Sequence, residues 1–116
     1  MPTERVFKVA SFLHPTDTEP IRSIVAESAH ASIVAWFVKP GQRIAPHWHP
    51  HGQDTWTVLE GAGVYQVDEA GSTLPIAAGD VVVAFAGRVH GVVNTGTLPL
   101  VFISVVSPAA AGFEPL

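Results

Sequence analysis

The sequence predicts an all-β domain built as a β-sandwich or a small barrel. Ten short segments are rich in Val, Ile, Phe, Trp and Thr, the residues that strands favour. Turn residues, mainly Gly, Pro, Asp and Asn, separate these segments at regular intervals. No long window shows the 3.6-residue apolar period of a helix. Many short strands at even spacing are typical of sandwiches and small barrels.

The individual elements follow from this pattern. Residues 39–42 (Lys-Pro-Gly-Gln) fit a type II turn, and residues 60–63 fit a hairpin connection. Residues 21–31 have some helical propensity, but their first half alternates better as a strand. The C-terminal residues 107–116 are expected to form an extended arm, either loose or packed on a partner. The expected strands lie near 5–10, 21–26, 31–38, 43–49, 54–60, 63–68, 73–77, 80–85, 89–94 and 98–106.

Composition limits the architecture and the partners. A chain of 116 residues is expected to be one domain, residues 1–116. Hydrophobic residues make up 47% and charged residues only 14%, so we expect a homodimer or larger oligomer that covers part of the apolar surface. The net charge of −4 argues against binding a nucleic-acid backbone. Cysteine is absent, which excludes disulfides, thiolate ligands and a cysteine nucleophile.

The sequence also predicts a cytoplasmic protein. Its first eight residues lack the apolar core of a signal peptide. No apolar run approaches the roughly 18 residues that a membrane helix needs, so no membrane partner is expected.

One segment of the chain concentrates residues that bind metals. His47 and His49 are one residue apart in a strand-like run, and alternate strand residues face the same side. Asp54 follows shortly after, and His90 opens a later strand. Three imidazoles and one oxygen ligand suit a divalent transition metal.

The residues around these histidines resemble the paired motifs of the cupin superfamily. That family folds as a double-stranded β-helix, or jelly-roll barrel. Its first motif has a glycine, five intervening residues, His-x-His, then an acidic residue and a second glycine. Its second motif has a glycine, Pro-x-Gly, His and Asn at fixed spacing. The first motif matches about 41–61 and the second about 79–94, with Phe85 at the proline position. The matching residues are Gly41, His47, His49, Asp54, Gly61, Gly79, Gly87, His90 and Asn94.

The resemblance implies a metal site with specific ligands. His47, His49 and His90 match the three metal-binding histidines of the family, and Asp54 stands where the family usually has Glu. Register counted back from Gly61 turns Asp54 inward, whereas the shorter family spacing selects Gln53 instead. A bulge near residues 50–52 would shift the register by one. We favour Asp54, because a charged oxygen better balances a divalent cation, and keep Gln53 as the alternative. The expected cofactor is Fe, Mn, Ni or Zn.

Several neighbouring residues have possible roles in the cavity. His51 is a lesser candidate for a ligand or proton relay at the rim. Arg43 and Arg88 are candidates for binding an anionic substrate at the barrel mouth, against the commoner interpretation of solvated charges. The aromatic residues Trp36, Trp56, Phe85 and Phe102 are first assigned to the core. The expected apolar lining of the cavity is Trp56, Val58, Val83 and Phe102.

Function is less determined than fold, because one fold hosts many chemistries. We expect a metal-dependent enzyme, dioxygenase-like or isomerase-like, that acts on a small organic molecule in the barrel cavity. The alternative is a non-catalytic small-ligand-binding module, and a third class is a structural oligomer with a vestigial site. No residue is identified as catalytic, since Glu60, Tyr65 and His51 are all weak candidates for a general base.

Overall fold

A computed structural model describes residues 4–116, so the first three residues of the N-terminal stretch lie outside it. A 3₁₀ helix, Val9–Phe12, is followed by ten strands. Within the described residues, no helix is long and apolar enough to cross a membrane. The strands are β1 Ser23–Glu27, β2 Ser32–Val38, β3 Arg43–Trp48, β4 Gln53–Glu60, β5 Ala62–Gln66, β6 Thr73–Ala77, β7 Val81–Ala84, β8 His90–Val93, β9 Leu100–Ser107 and β10 Glu114–Pro115.

The strands form two antiparallel five-stranded sheets, as a jelly-roll barrel requires. One sheet has the order β1-β2-β9-β4-β7, and the other has the order β10-β3-β8-β5-β6. Apart from β1-β2 and β5-β6, neighbouring strands in each sheet are not consecutive in sequence, so the chain crosses repeatedly between the sheets. The expected all-β jelly-roll fold is confirmed.

Two of the sequence expectations about the chain ends are wrong. Residues 5–10 do not form a strand; Ser11 N–H donates to the Lys8 carbonyl at 3.0 Å and closes a 3₁₀ turn instead. In this segment the local hydrogen bond prevails over strand propensity. The C-terminal arm is neither loose nor on a partner, since β10 pairs with β3 of the same chain.

The turn before the first histidines has the geometry that its sequence predicts. Gly41 has φ +85°, and Gln42 N–H donates to the Lys39 carbonyl at 3.0 Å, as in a type II turn. Asn94 is fully buried and ties this end of the barrel together, because its amide donates to the carbonyls of Val38 and Leu98, both at 2.9 Å. These bonds tie the residue after β8 to the end of β2 and to the segment just before β9.

The closed end of the barrel is filled by apolar side chains. Trp56 stacks on Phe102 with ring centroids 4.1 Å apart, and its edge meets Tyr65 at 5.2 Å. We call this group the apolar cluster: Val38, Trp56, Val58, Tyr65, Ile76, Val92, Leu100 and Phe102. The cluster leaves the opposite end of the barrel open.

This packing corrects the expected lining of the cavity. Trp56, Val58 and Phe102 are buried in the apolar cluster and do not line an open space. Val83 is 37% exposed and faces outward, because it lies one residue out of phase with the buried Ala84. Phe85, assigned to the core from sequence, is 65% exposed.

Candidate metal centre

Three strands bring four ligating side chains together. His47 is the second-last residue of β3, Asp54 is the second residue of β4 and His90 is the first residue of β8, while His49 directly follows the end of β3. One ligand atom from each residue lies within 4.8 Å of the corresponding atom of the others. We call these four residues the His/Asp cluster. The sequence analysis selected the same four.

A β-bulge aims the first histidine into the barrel. In the pairing of β3 with β8, Ile44 lies opposite Val92 and His47 lies opposite His90, so β3 carries one extra residue between these pairs. The extra residue shifts the inward alternation by one and turns His47 inward. Gly91 accommodates the bulge, because a Cβ there would lie 2.9 Å from the Ile44 carbonyl oxygen. The irregularity thus lies before the histidines, whereas the sequence suggested one after them.

Backbone carbonyls fix the tautomers of all three imidazoles. Nδ1 of His47 lies 2.8 Å from the Ala45 oxygen, Nδ1 of His49 lies 2.7 Å from Gly112 oxygen, and Nδ1 of His90 lies 3.1 Å from Arg88 oxygen. A carbonyl oxygen only accepts, so each Nδ1 carries the proton. In the neutral rings each Nε2 then has a free lone pair, the form in which histidine binds metals.

Asp54 holds the acidic position of the cluster. Its Oδ2 lies 3.0 Å from Nε2 of His90 and 3.6 Å from Nε2 of His49. Its Oδ1 accepts a hydrogen bond from the buried Ser104 hydroxyl at 2.5 Å. Gln53 lies on the other side of β4, where its amide is 3.5 Å from Thr55 Oγ1. The structure therefore brings Asp54, and not Gln53, to the histidines.

Burial and neighbouring charges shift the pKa values of three residues in the His/Asp cluster. Burial lowers the pKa of His47 to about 4 and so keeps this ring neutral at ordinary pH. Burial also acts to lower the pKa of His49, but the negative charge of the nearby Asp54 carboxylate and the hydrogen bond to the Gly112 carbonyl outweigh it and raise that pKa. Burial acts to raise the pKa of Asp54, and the neighbouring His49 and His90 rings together with the hydrogen bond from Ser104 hold that pKa well below its usual range. The negatively charged Asp54 thus lies beside a neutral His47 ring and a His49 ring that holds its proton more tightly than free histidine does.

The donor set fits a divalent transition metal. Nε2 of His49 is buried and has no hydrogen-bond partner among the described residues, although buried polar atoms are rarely left unpaired. A first-row ion holds nitrogen and oxygen ligands at about 2.0–2.2 Å, so ligands on opposite sides lie about 4.0–4.4 Å apart. The cluster needs only a small contraction to reach that size. Without a cation, the lone pair of a neutral His90 Nε2 and the Asp54 carboxylate repel each other. A bound cation would attract both groups and so offset this repulsion.

The cluster lies at the inner end of an open cavity of about 750 Å³, within the size range of ligand sites. Its inner wall is polar and includes His47, His49, Asp54 and Ser104, while His90 lies behind them and is 1% exposed. The apolar walls are Val34, Trp36, Ile44, Val106 and Phe113. The mouth carries several charged residues, namely Asp17, Glu19, Arg22 and Arg43.

The remaining sequence-predicted residues are distributed differently. Arg43 lines the cavity as expected, but Arg88 does not. His51 is exposed and lies outside the lining. Tyr65 is buried in the apolar cluster, and Glu60 is exposed at a hairpin, so neither reaches the cavity.

Sequence reasoning missed three features of the site. Ser104 was detectable, since alternation along β9 places this polar residue on the inward face between Phe102 and Val106. Arg22 and the Gly112–Phe113 pair carried no signal, because they come near the histidines only through the fold.

Comparison with known proteins agrees with this architecture. The Cupin domain family model matches residues 34–106. An "oxalate-binding protein" of Thermotoga maritima is 34% identical over 67 residues, which cover 58% of this chain and 54% of that protein, so the match spans about half the length of this curated relative.

Solved structures show the same fold. A conserved protein with a double-stranded β-helix domain from Klebsiella pneumoniae superposes with a TM-score of 0.93 at 46% identity, over 97% of this chain and 96% of that one. A predicted oxalate decarboxylase from Thermotoga maritima superposes with a TM-score of 0.74 at 21% identity, over 90% and 99% of the two chains.

Proposed function

This chain belongs to the cupin family, and we propose that it is a metal-dependent enzyme acting on a small organic anion in the barrel cavity. We assign His47, His49, Asp54 and His90 as the ligands of a divalent transition metal, Fe, Mn, Ni or Zn. One observation carries this assignment: three imidazoles donate Nδ1–H to backbone carbonyls and thereby offer three Nε2 atoms beside one carboxylate.

The protein residues around the metal have separate tasks. When bound, the metal supplies Lewis acidity or a place for dioxygen. His47, His49 and His90 would hold the metal in a fixed position, and Asp54 would lower the net charge of the site. Ser104 donates to Asp54 Oδ1 and so directs Oδ2 toward the histidines. The apolar cluster behind Trp56 excludes water from the closed side of the site.

The mouth of the cavity supports an anionic substrate. Arg22 and Arg43 line it, and neither forms an ion pair or a side-chain hydrogen bond within residues 4–116. Of the two acidic residues beside them, Asp17 is paired with Lys39 at 2.7 Å, which leaves Glu19 as the opposing charge. Arginine binds carboxylates through two parallel hydrogen bonds. The name of the Thermotoga relative, an oxalate-binding protein, agrees with a carboxylate ligand.

The cavity favours chemistry centred on the metal. The side chains proposed from sequence as general bases lie in the core or on the outer surface. A dioxygenase-like reaction requires no separate base and is therefore placed first. An isomerase-like reaction needs a proton carrier, for which Glu19 at the mouth is the candidate, since the other carboxylate there, Asp17, is paired with Lys39.

Elemental analysis of untagged protein tests the metal assignment. We expect close to one Fe, Mn, Ni or Zn per chain, lost in His47→Ala. His51→Ala is the matched control, because this histidine is four positions away but exposed and outside the cluster. Equal loss in both variants, or no metal in the wild type after reconstitution, would contradict the assignment.

The alternative function is a non-catalytic module that binds a small anion. The name of the oxalate-binding relative favours it. Dicarboxylates that raise the melting temperature of the metal-loaded protein, but are not consumed under air, would indicate this module. Consumption of the ligand, with Arg22→Ala raising KM more than it lowers kcat, would indicate the enzyme.

The homodimer and the cytoplasmic location remain predictions of the sequence. Val81 and Phe85, on and just after the edge strand β7, are 63% and 65% exposed and add to the apolar surface that a second copy would cover. Light scattering after size exclusion is expected to give a mass above 12.3 kDa. A clean monomer would contradict the dimer.

A further inference from the structure

The C-terminal segment, residues 111–116, docks on the part of the chain that contains the first two histidines. His51 N–H donates to the Ala111 carbonyl at 2.7 Å, and Leu116 N–H donates to the Pro46 carbonyl at 3.1 Å. Ala111 is 1% exposed. The segment is thus anchored at both ends, on either side of His47 and His49.

The hydrogen bond from Gly112 to His49 differs in kind from the other two tautomer-fixing bonds. His47 and His90 each use the carbonyl two residues earlier in the chain, so both of these bonds are local. His49 uses the Gly112 carbonyl, 63 residues away, at 2.7 Å. Its orientation therefore depends on the docked C-terminal segment.

Gly112 has the backbone conformation that this contact needs. Its φ is +79°, and a Cβ there would lie 3.2 Å from Cδ of Pro50. Both facts favour glycine at this position. The next residue, Phe113, lies with its ring centroid 5.1 Å from that of His47 and 6.3 Å from that of His49, and it forms part of the cavity wall.

We propose that Gly112 is a positioning residue: the docked C-terminal segment holds His49 as the Nδ1–H tautomer and so keeps its Nε2 available as a ligand. This inference deepens the proposed function and rests on it for its consequence on metal binding. Without the Gly112 carbonyl, the ring gains by moving its proton to Nε2 and donating to Asp54, whose Oδ2 is 3.6 Å away. An imidazole protonated at Nε2 cannot bind a metal through that atom.

The tautomer itself is measurable in full-length, metal-free protein. Imidazole ¹⁵N NMR at about pH 9, well above the ordinary histidine pKa of about 6.5, distinguishes Nδ1–H from Nε2–H. We expect Nδ1–H for His49 in the wild type and a predominant Nε2–H form in Gly112→Ala. Gly112→Pro is the stricter variant, because the proline ring fixes φ near about −65° and excludes the observed conformation.

Gly71→Ala is the matched control. Gly71 also has positive φ, +88°, but a Cβ there meets nothing within 4 Å, and it lies in the turn between β5 and β6. Its substitution therefore introduces similar backbone strain away from the site, and His49 is expected to stay Nδ1–H. Retention of Nδ1–H in folded Gly112→Ala and Gly112→Pro would overturn the inference.

Metal titration provides the second measurement. Loss of a hydrogen-bond partner behind a ligating histidine typically weakens metal binding about 10–100-fold. We expect Gly112→Pro to bind Co²⁺ about 10–100-fold more weakly than Gly71→Ala does. Equal Co²⁺ affinities in the two variants would overturn the inference that Gly112 supports metal binding. If the wild type binds no Co²⁺ while the NMR results are as expected, the proposed function fails and the positioning of His49 by Gly112 stands.

Discussion

The apolar cluster and the His/Asp cluster lie side by side in the same barrel and are built by the same strands. On β4, Asp54, Trp56 and Val58 follow one another at every second position. On β9, Ser104 and Phe102 are two residues apart and both buried. The same strands run through both regions, and the side chains that they carry inward fill one region and line the cavity in the other.

Trp56 marks the border between the two regions. Its ring stacks on Phe102 at 4.1 Å and meets His90 edge-on at 5.8 Å. The apolar cluster is held by packing, which tolerates no void, whereas the His/Asp cluster is held by hydrogen bonds to backbone carbonyls. The two regions should therefore respond differently to substitution. Loss of packing in the apolar cluster should lower the stability of the fold, and loss of a ligand in the His/Asp cluster should lower metal affinity.

The largest effect is expected for Trp56→Ala. It removes a 2% exposed ring from the border and should lower the free energy of unfolding by about 3–5 kcal/mol in urea titrations. Leu74→Ala is the control, since Leu74 is 57% exposed and its loss should change stability by no more than about 0.5 kcal/mol. Equal effects would show that the apolar cluster is not the stabilising region.

Metal addition should stabilise the fold through the other region. At a free metal concentration of about 100 Kd, binding should raise the free energy of unfolding by about 2.7 kcal/mol, and a chelator should reverse this. The double variant His47→Ala/His90→Ala should remain folded and show no such shift. Stoichiometric metal in the double variant would sink the ligand assignment.

Substitution of Asp54 should weaken metal binding much more than substitution of Gln53, the alternative oxygen ligand predicted from sequence. Asp54→Ala should weaken metal binding by at least about tenfold, because even partners behind the ligands are worth about that much. Gln53→Ala should leave the affinity nearly unchanged, since Gln53 faces away beside Thr55. The reverse order in a competition titration would move the fourth ligand to Gln53.

The smallest effect concerns pH. Because the pKa of His49 is raised, its proton competes with metal already above pH 6.5, and affinity should fall by up to about tenfold per pH unit below that pKa. His47, with a pKa of about 4, should not compete there. In metal-free protein, the His49 shift stabilises the fold below about pH 6.5, and this is lost as pH rises through the raised pKa. Metal affinity independent of pH from 8 to about 5 would contradict this.

Much of the site was predictable because its determinants are local. The resemblance to the cupin motifs selected His47, His49 and His90, charge and register favoured Asp54 over Gln53, and a turn glycine at position 41 predicted the type II turn that the structure contains. Predictions from strand alternation failed where the assumed inward-facing set was off by one residue. Val83 and Phe85 were assigned inward or to the core and are exposed, because a one-residue shift moves a strand residue to the opposite face.

The sequence by itself determined the all-β fold and the turns, because strand alternation and turn chemistry act over a few residues. Together with the resemblance to the cupin motifs, it also favoured the four clustered side chains, with Gln53 as the alternative to Asp54. Only the tertiary structure decided which end of the barrel is open, where the bulge lies and what holds His49. The Gly112 carbonyl lies 63 residues from that histidine along the chain, and Arg22 reaches the cavity from the position just before β1. Such contacts depend on how the two sheets close and on the return of the C-terminal segment along β3, which no local pattern records.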